Sequence, residues 1–598
     1  MRFLAVLCLS LLISPLLWAG DSTPESHLED GRSLYRAGHL DDAATAFAAA
    51  YEGAPADSEV RAAAALESAM VLWDQGLYEQ ARSRVQEAID LARTLGLDDE
   101  IGQLLVTLGH VEASLGELRE AEITLNLCVR MTAEAGDDVH GALCRLKRRA
   151  VRSLQGNDPG PESELRADLA SLQGTQSPLT VATSLAKTAD LLREQGDLSE
   201  ARTFLDRAEA FYRDAGSIPA LRRNQLRQVQ LMHREGRFDE AAPRLARLRE
   251  AFEGMRNRPL TMQSLMLQAQ RAEHQGQGTQ ALELYRRALS VATEIESDLA
   301  AARVHLSICG LGSQAAVDHC EQARAAFSSA GMTPLYAQAA GAQGRIHHAA
   351  GDHERARRAY RAALSALDDL DADDETPARL ARAMNGANLC QVESRMEATG
   401  ALMTCDAALQ ALRALPHDHR DASASLTAAT YRAAGRAAVR EGHDSAQESF
   451  RQAITLYTES GELREAAQVA LLSEDQELFR EALAILEAAD TPNDTDARAE
   501  LRRLELSLRT QIAQGLLASE DWEPAQQALA ALIEAATTPD DSDPRTAAWA
   551  HSALARAHLA RGHRDDAIAA LRQGLDLARE AGDDDLATSL QRNLDGLK

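Results

Sequence analysis

Residues 76–88 read GLYEQARSRVQEA, and residues 116–128 read GELREAEITLNLC. Each stretch opens on a glycine, has alanine five residues later, a large apolar residue at +9 and a small residue at +12. The first gives Gly76, Ala81, Val85 and Ala88; the second gives Gly116, Ala121, Leu125 and Cys128. The pattern recurs at Gly38-Ala43-Phe47-Ala50, Gly196-Ala201-Leu205-Ala208, Gly236-Ala241-Leu245-Leu248 and Gly276-Ala281-Tyr285-Ala288. It returns at Gly351-Ala356-Tyr360-Ala363 and Gly562-Ala567-Leu571-Gly574, and at Gly442-Ala446-Phe450-Ala453 with a turn one residue shorter.

Glycine is the residue that ends a helix cheaply in the left-handed conformation. The three residues that follow are spaced by four and three, so they share one face of the next helix. Small side chains on that face let two antiparallel helices approach closely. The pattern therefore predicts a helix–turn–helix hairpin with a buried seam, repeated along the chain.

The hairpin resembles the tetratricopeptide repeat. A small residue precedes the turn glycine by seven positions, at Gly31, Ala69, Gly109, Ala189, Ala269, Gly344 and Ala555. The resemblance implies an all-α protein, a right-handed α-α superhelical solenoid of about fourteen such hairpins spanning residues 21–595. The turn glycines at 116, 156, 196, 236 and 276 are forty apart. The usual repeat is about 34 residues, so these helices are longer by roughly a turn. Degenerate copies fill 301–330, 379–412, 463–490 and 506–535, and Asn157-Asp158-Pro159-Gly160-Pro161 damages the turn after Gly156. Pro, Asp and Asn cluster at 157–163, 371–377, 415–422, 490–496 and 537–545. These are either ordinary longer loops or joints between sub-blocks 21–156, 164–370, 378–490 and 497–598.

Composition agrees. Alanine, leucine, arginine and glutamate dominate, aromatics are 4%, and no β-branched run occurs, a mixture that favours helix. Only Lys147, Lys187 and Lys598 are lysine, a scarcity that points to a GC-rich genome rather than to function. The net charge of −28 argues against nucleic acid and against bulk attraction to an anionic membrane. Met1-Arg2, the apolar run Phe3–Trp18 and Ala19-Gly20 have the layout of a signal peptide, residues 1–20. The expectation is an exported protein, periplasmic or secreted, without a membrane span after cleavage.

With Cys8 in that leader, six cysteines remain, and they fall as near pairs: Cys128 with Cys144, Cys309 with Cys320, Cys390 with Cys405. Each pair straddles a helix–helix connection, where residues equidistant from the turn face each other. In an oxidising compartment that arrangement predicts three local disulfides. The competing reading is that Cys128 and Cys405 merely occupy the repeat's second small position.

No catalytic or cofactor motif is present: no H-E-x-x-H, P-loop, G-x-S-x-G, G-x-G-x-x-G or C-x-x-C. Asp369, Asp371 and Asp373 begin with EF-hand spacing, but Asp374 and Leu380 replace the glycine and glutamate that such a loop needs. His347, His348 and His353, and His417-Asp418-His419, have no partner at metal-ligand spacing, so no metal is expected.

The resemblance implies that the first helix of each hairpin lines a concave groove for protein or peptide partners. By position those residues are Tyr35, Met70, Trp73, His110, Arg193, Gln230, His233, Gln270, Glu273, Arg345, His348 and Arg556. No hairpin has the lysine of the clamp that grips acidic chaperone C-termini. The expected function is a non-catalytic scaffold of the cell envelope. The alternative is a sensory module that binds a small ligand or glycan and signals to a separate effector, and an enzyme built into the superhelix is a third.

Overall fold

A computed structural model describes residues 23–597, apart from 98–99, 158–159, 196, 369–375, 490–493 and 539–541. The leader, the turn at Gly196, the acidic run Asp369–Asp374 and parts of four of the clustered loops lie outside the described residues. The chain divides into two compact units. The first is Met1–Ile346 with Ala366–Ala372, and the second is His347–Ser365 with Asp373–Lys598.

Among the described residues the first unit stacks eight helical hairpins. They are α1 (Pro24–Ala37) with α2 (Leu40–Gly53), α3 (Glu59–Gln75) with α4 (Tyr78–Leu95), α5 (Ile101–Leu115) with α6 (Leu118–Ala135), and α7 (Asp138–Gln155) with α8 (Glu162–Gln173). Then come α9 (Pro178–Gln195) with α10 (Leu198–Asp214), α11 (Ile218–Arg234) with α12 (Phe238–Gly254), α13 (Arg258–His274) with α14 (Gly278–Glu294), and α15 (Asp298–Gly310) with α16 (Val317–Ser329). Helices α17 (Thr333–Ala349) and α18 (His353–Asp368) follow at the division between units. The second unit stacks five hairpins among its described residues: α19 (Thr376–Arg395) with α20 (Ala401–Arg413), α22 (Ala424–Glu441) with α23 (Ala446–Glu459), α24 (Leu463–Ser473) with α25 (Gln476–Ala488), α26 (Thr495–Ala518) with α27 (Trp522–Ala536), and α28 (Pro544–Ala560) with α29 (Arg564–Glu580). The short α21 (His417–Ala422) and the closing α30 (Asp584–Gly596) complete it. Among the described residues the degenerate stretches form helices, and there is no strand.

The turn glycines behave as the pattern requires, with Gly76 at φ 82° and Gly116 at φ 90°. A second series, twenty residues out of phase, caps the return helices at Gly96, Gly136 and Gly216. Where that series lacks glycine, Arg256 and Glu296 hold the same left-handed conformation. Polar residues open many of the first helices: Ser58, Asp137 and Asn257 each accept from the backbone N–H three residues on.

The seam of each hairpin is tight at its small residues. A Cβ placed on Gly31 would lie 2.5 Å from Phe47, and one on Gly109 would lie 2.7 Å from Leu125. In the second unit a Cβ on Gly435 would lie 2.7 Å from Phe450. Phe47, Leu125 and Phe450 are themselves buried, so the space cannot open by a side chain swinging into solvent. The damaged hairpin survives on charge. Arg145 makes a bidentate pair with Asp168 of α8, with its closest contact at 2.7 Å. Arg149 donates to the carbonyls of Gly160 and Pro161 at 2.6 Å each.

The three cysteine pairs are brought together, with α-carbons 6.1 Å apart for Cys128–Cys144, 5.0 Å for Cys309–Cys320 and 4.8 Å for Cys390–Cys405. All lie within disulfide range. The first joins consecutive hairpins; the other two each clip one hairpin.

Within the first unit the stack closes on itself. The C-terminal ends of α1, α3 and α5 meet the starts of helices much later in the chain. Asn257 Nδ2 donates to Asp74, Arg258 donates to the Gln75 carbonyl, and Ser297 donates to the Ser114 carbonyl. All three bonds span 183 residues, between four and five of the forty-residue repeats. Gly38 lies against Met255 and Ile218, Gly76 against Ile295, and Gly116 against Leu299 and Ala330. One coil therefore rests on the next.

The tight seam makes a direct prediction. Gly109→Ala overpacks the contact with Leu125 and should destabilise the first unit by about 1–3 kcal/mol, read as a lower urea midpoint. Ala113→Gly, on the same helix, should show only the smaller propensity cost of roughly 1 kcal/mol.

Candidate functional site

The first helices of the early hairpins enclose a chamber of about 610 Å³ inside the first unit. Its lining follows the forty-residue period. His110, Asp190 and Gln230 occupy one repeat position, Lys147, Lys187 and Arg227 a second, and Arg223, Gln263 and Arg303 a third. The closure of one coil on the next supplies the remaining wall, with Trp73, Asp74, Asn257, Pro259 and Ser297 at the join.

The charges in this chamber are unequal in number and in pairing. Asp74, 1% exposed, pairs with Arg223 and accepts from Tyr35 Oη at 2.8 Å and from Asn257 Nδ2 at 3.3 Å. Asp190 is shared by Arg193 at 3.2 Å, Arg227 at 3.3 Å and Lys187 at 3.6 Å. Lys147 makes no ion pair among the described residues. Burial drives its ammonium well below the usual lysine range, and Lys187, Arg223 and Arg227 push in the same direction. Burial likewise holds His110 well below the ordinary histidine value, with Lys147, Lys187 and Arg223 adding to it. Arg303, which keeps solvent access, has no carboxylate partner among the described residues, and burial lowers its pKa also.

Trp73 is both packed and presented. Its indole N–H donates to Ser114 Oγ at 2.9 Å, its ring lies 4.4 Å from that of His110, and Arg223 sits over its face at 5.1 Å. The tryptophan thus bridges consecutive hairpins while forming part of the chamber wall.

A second hollow of about 740 Å³ adjoins the first, sharing Arg193 and Gln230 with it. It adds His233, Arg234, Phe238, Leu267, Gln270, Glu273 and His274. Phe238 stacks on His274 at 4.2 Å and meets His233 at 5.2 Å. Both ring nitrogens of His233 are buried without a hydrogen-bond partner. Burial, then Arg271, lowers its pKa. Burial raises the pKa of Glu273, opposed by its hydrogen bond with Tyr285.

Of the twelve residues assigned to a groove, Trp73, His110, Arg193, Gln230, His233, Gln270 and Glu273 thus line the two hollows. Tyr35 turns instead to Asp74 at the join between coils. Met70 is half-buried and lines neither hollow, and Arg345 is exposed. His348 and Arg556 belong to the second unit, where His348 faces His353 at 5.2 Å and Arg556 is exposed. His417 pairs on the surface with Asp421 at 3.2 Å.

Sequence reasoning missed Lys147, Lys187, Arg223, Arg227 and Arg303. The signal was available: Lys147, Lys187 and Arg227 are forty apart in a chain with almost no lysine. It also missed His558, His563 and Asp566 in the second unit, whose donor atoms lie within 4.8 Å of one another. Two of those three are exposed.

Models of the family described as tetratricopeptide repeat match residues 60–134, 228–295 and 313–374. The matched segments are tetratricopeptide repeats. The matched segments include α3 to α6 and α13 to α14, the tetratricopeptide hairpins that bear Trp73, His110, Gln270 and Glu273. No curated protein sequence matches the chain. Among solved structures, a chain of the "APC/C hetero-tetramer Cut9-Hcn1" aligns over 96% of this chain and 97% of its own, at 13% identity and a TM-score of 0.33. Among the described residues no helix is long and apolar enough to cross a membrane.

Part-buried histidines give the helical stack a pH dependence. His110 titrates well below 6.5 when folded and near 6.5 when unfolded, so between those values the unfolded chain binds the extra proton. His305, pushed down to about 4 by burial and by His319, acts in the same sense. The contribution of these histidines is therefore fully present above about pH 6.5 and is lost as pH falls. Thermal melts should show a lower Tm at pH 5 than at pH 7. His110→Phe, which keeps the stacking on Trp73, should shrink that difference; an unchanged difference would refute the assignment.

Proposed function

We propose that this protein is a non-catalytic interaction scaffold, exported to the cell envelope as a periplasmic or secreted protein. A protein partner docks on the second hollow of the first unit. The observation that carries the docking site is the set formed by His233, Phe238 and His274 with Gln230, Gln270 and Glu273. Consecutive hairpins present stacked rings, side-chain amides and a carboxylate to one opening. Aromatic anchors beside polar groups are what protein hot spots are made of. His233, with two buried nitrogens and no partner, is poised to gain a hydrogen bond on binding. Export rests on the leader-like residues 1–20 and on three cysteine pairs at disulfide range.

A second reading, a sensory module for a small ligand, is favoured by one feature only, the cation-lined chamber beside this hollow.

The test is affinity capture of the tagged protein from envelope and supernatant fractions under non-reducing conditions. The comparison is a Gln230→Ala, His233→Ala, Gln270→Ala variant shown to be folded by its melting curve. The proposal expects a partner retained by the wild type and lost from the variant. Equal retention by both, or capture of nothing specific, would overturn it.

A further inference from the structure

The chamber of the first unit breaks the rules that the rest of the chain obeys. The protein carries 91 acidic and 63 basic residues, yet its chamber is lined by Lys147, Lys187, Arg193, Arg223, Arg227 and Arg303 against only Asp74 and Asp190. Two of the three lysines in the sequence are spent there.

Structure alone does not account for this set. Buried charges that serve stability are paired, because an uncompensated one costs several kcal/mol. Asp74 with Arg223 and Asp190 with its three cations meet that standard. Part-buried Lys147 does not, since it has no carboxylate partner among the described residues; exposed Arg303 also lacks one and adds to the same excess of positive charge. The charged neighbours of Lys147, which are Lys187, Arg223 and Arg227, are all cations. Groups kept in such a conflict belong to sites whose partner arrives from outside.

We propose that this chamber binds a small organic or inorganic anion carrying two or more negative charges, held chiefly by Lys147, Lys187, Arg223, Arg227 and Arg303. The volume of about 610 Å³ is that of a single small-molecule site, which runs from roughly 300 to 1,000 Å³. Its walls supply both required features. Arginines offer planar forks that match carboxylate and phosphate oxygens, and lysines add point charges beside them. Trp73, Val151, Leu226 and Leu299 supply apolar surface that excludes water and strengthens each charge contact. The lowered pKa of Lys147 fits an ammonium that an incoming anion would stabilise. Closure of the coil at Asp74 and Ser297 makes the site a chamber rather than an open groove, which favours a compact ligand over an extended chain. The inference is independent of the docking hollow, because it concerns different side chains and is measured without any partner.

The experiment is a thermal-shift and calorimetric titration of the purified protein with pyrophosphate and with citrate, at ionic strength fixed by sodium chloride. The same is done with Lys147→Gln and with Arg303→Gln. A ligand that binds only the folded state raises Tm with concentration. The proposal expects one of the two probes to bind the wild type, and each variant to bind it at least tenfold more weakly. Without ligand, Lys147→Gln should melt no lower than the wild type, because an unpaired charge has been removed. That result separates a ligand-holding lysine from a structural one. The proposal is overturned if neither probe raises Tm beyond the salt control, or if both variants bind as tightly as the wild type. Binding by a tri-glutamate peptide and by neither small anion would overturn it in favour of a peptide site.

Discussion

The carboxylate of Asp74 is the point on which the first unit turns. It sits at the end of α3, fully enclosed, and takes hydrogen bonds or charge from α1 through Tyr35, from α11 through Arg223 and from the start of α13 through Asn257. One side chain thus ties the first hairpins to others 149 and 183 residues later. A carboxylate so placed is costly to bury and more costly to leave unpaired, so its partners hold each other in place. Without that join the first helices would line an open trough. With it they enclose a chamber, and the cations inside are gathered around one hollow.

Everything beneath the join is made of local rules applied many times. A left-handed residue every twenty positions, from Gly76 to Gly156 and again from Gly216 to Glu296, sets the alternation of helices there, and a small residue facing a large one sets how closely each pair packs. No hairpin buries its own apolar face, so each is stable only against its neighbours. Errors of length then accumulate in register, not in fold. The hairpin of α7 and α8 has a disrupted turn and a short second helix, yet Arg145 and Asp168 keep it in the stack. Arg256 and Glu296 show the same tolerance, since each adopts a conformation that glycine takes more cheaply.

The hairpins were legible in the sequence because their determinants are close together. Gly116, Ala121 and Leu125 fall within ten residues, and Gly109 is only seven before the turn. The cysteine pairs were legible for the same reason, each being separated by 11 to 16 residues. Seven of the twelve assigned positions line one of the two hollows, since repeat position decides which way a side chain faces. The chamber did not emerge. Its closing contacts join residues 183 apart, and no local pattern encodes how far a stack must coil before it meets itself. Tyr35 lines neither hollow, because its hydroxyl donates to Asp74 on the neighbouring hairpin. Lys147 and Lys187 were visible as rare residues, yet scarcity without a partner in view says nothing about what they face.

The claim that most needs testing is that the coil closes. Asp41 and Arg256 face each other across the join as an exposed ion pair at 2.7 Å, so both can be replaced without disturbing a core. A protein with Asp41→Cys and Arg256→Cys should be treated with a short bismaleimide, the native cysteines being held in their pairs, and mapped by peptide mass spectrometry. The account predicts an intramolecular link between the peptides bearing positions 41 and 256 in the folded protein, lost in urea. Recovery of only singly capped thiols from the folded protein would show that the coil does not close, and with it the chamber would go.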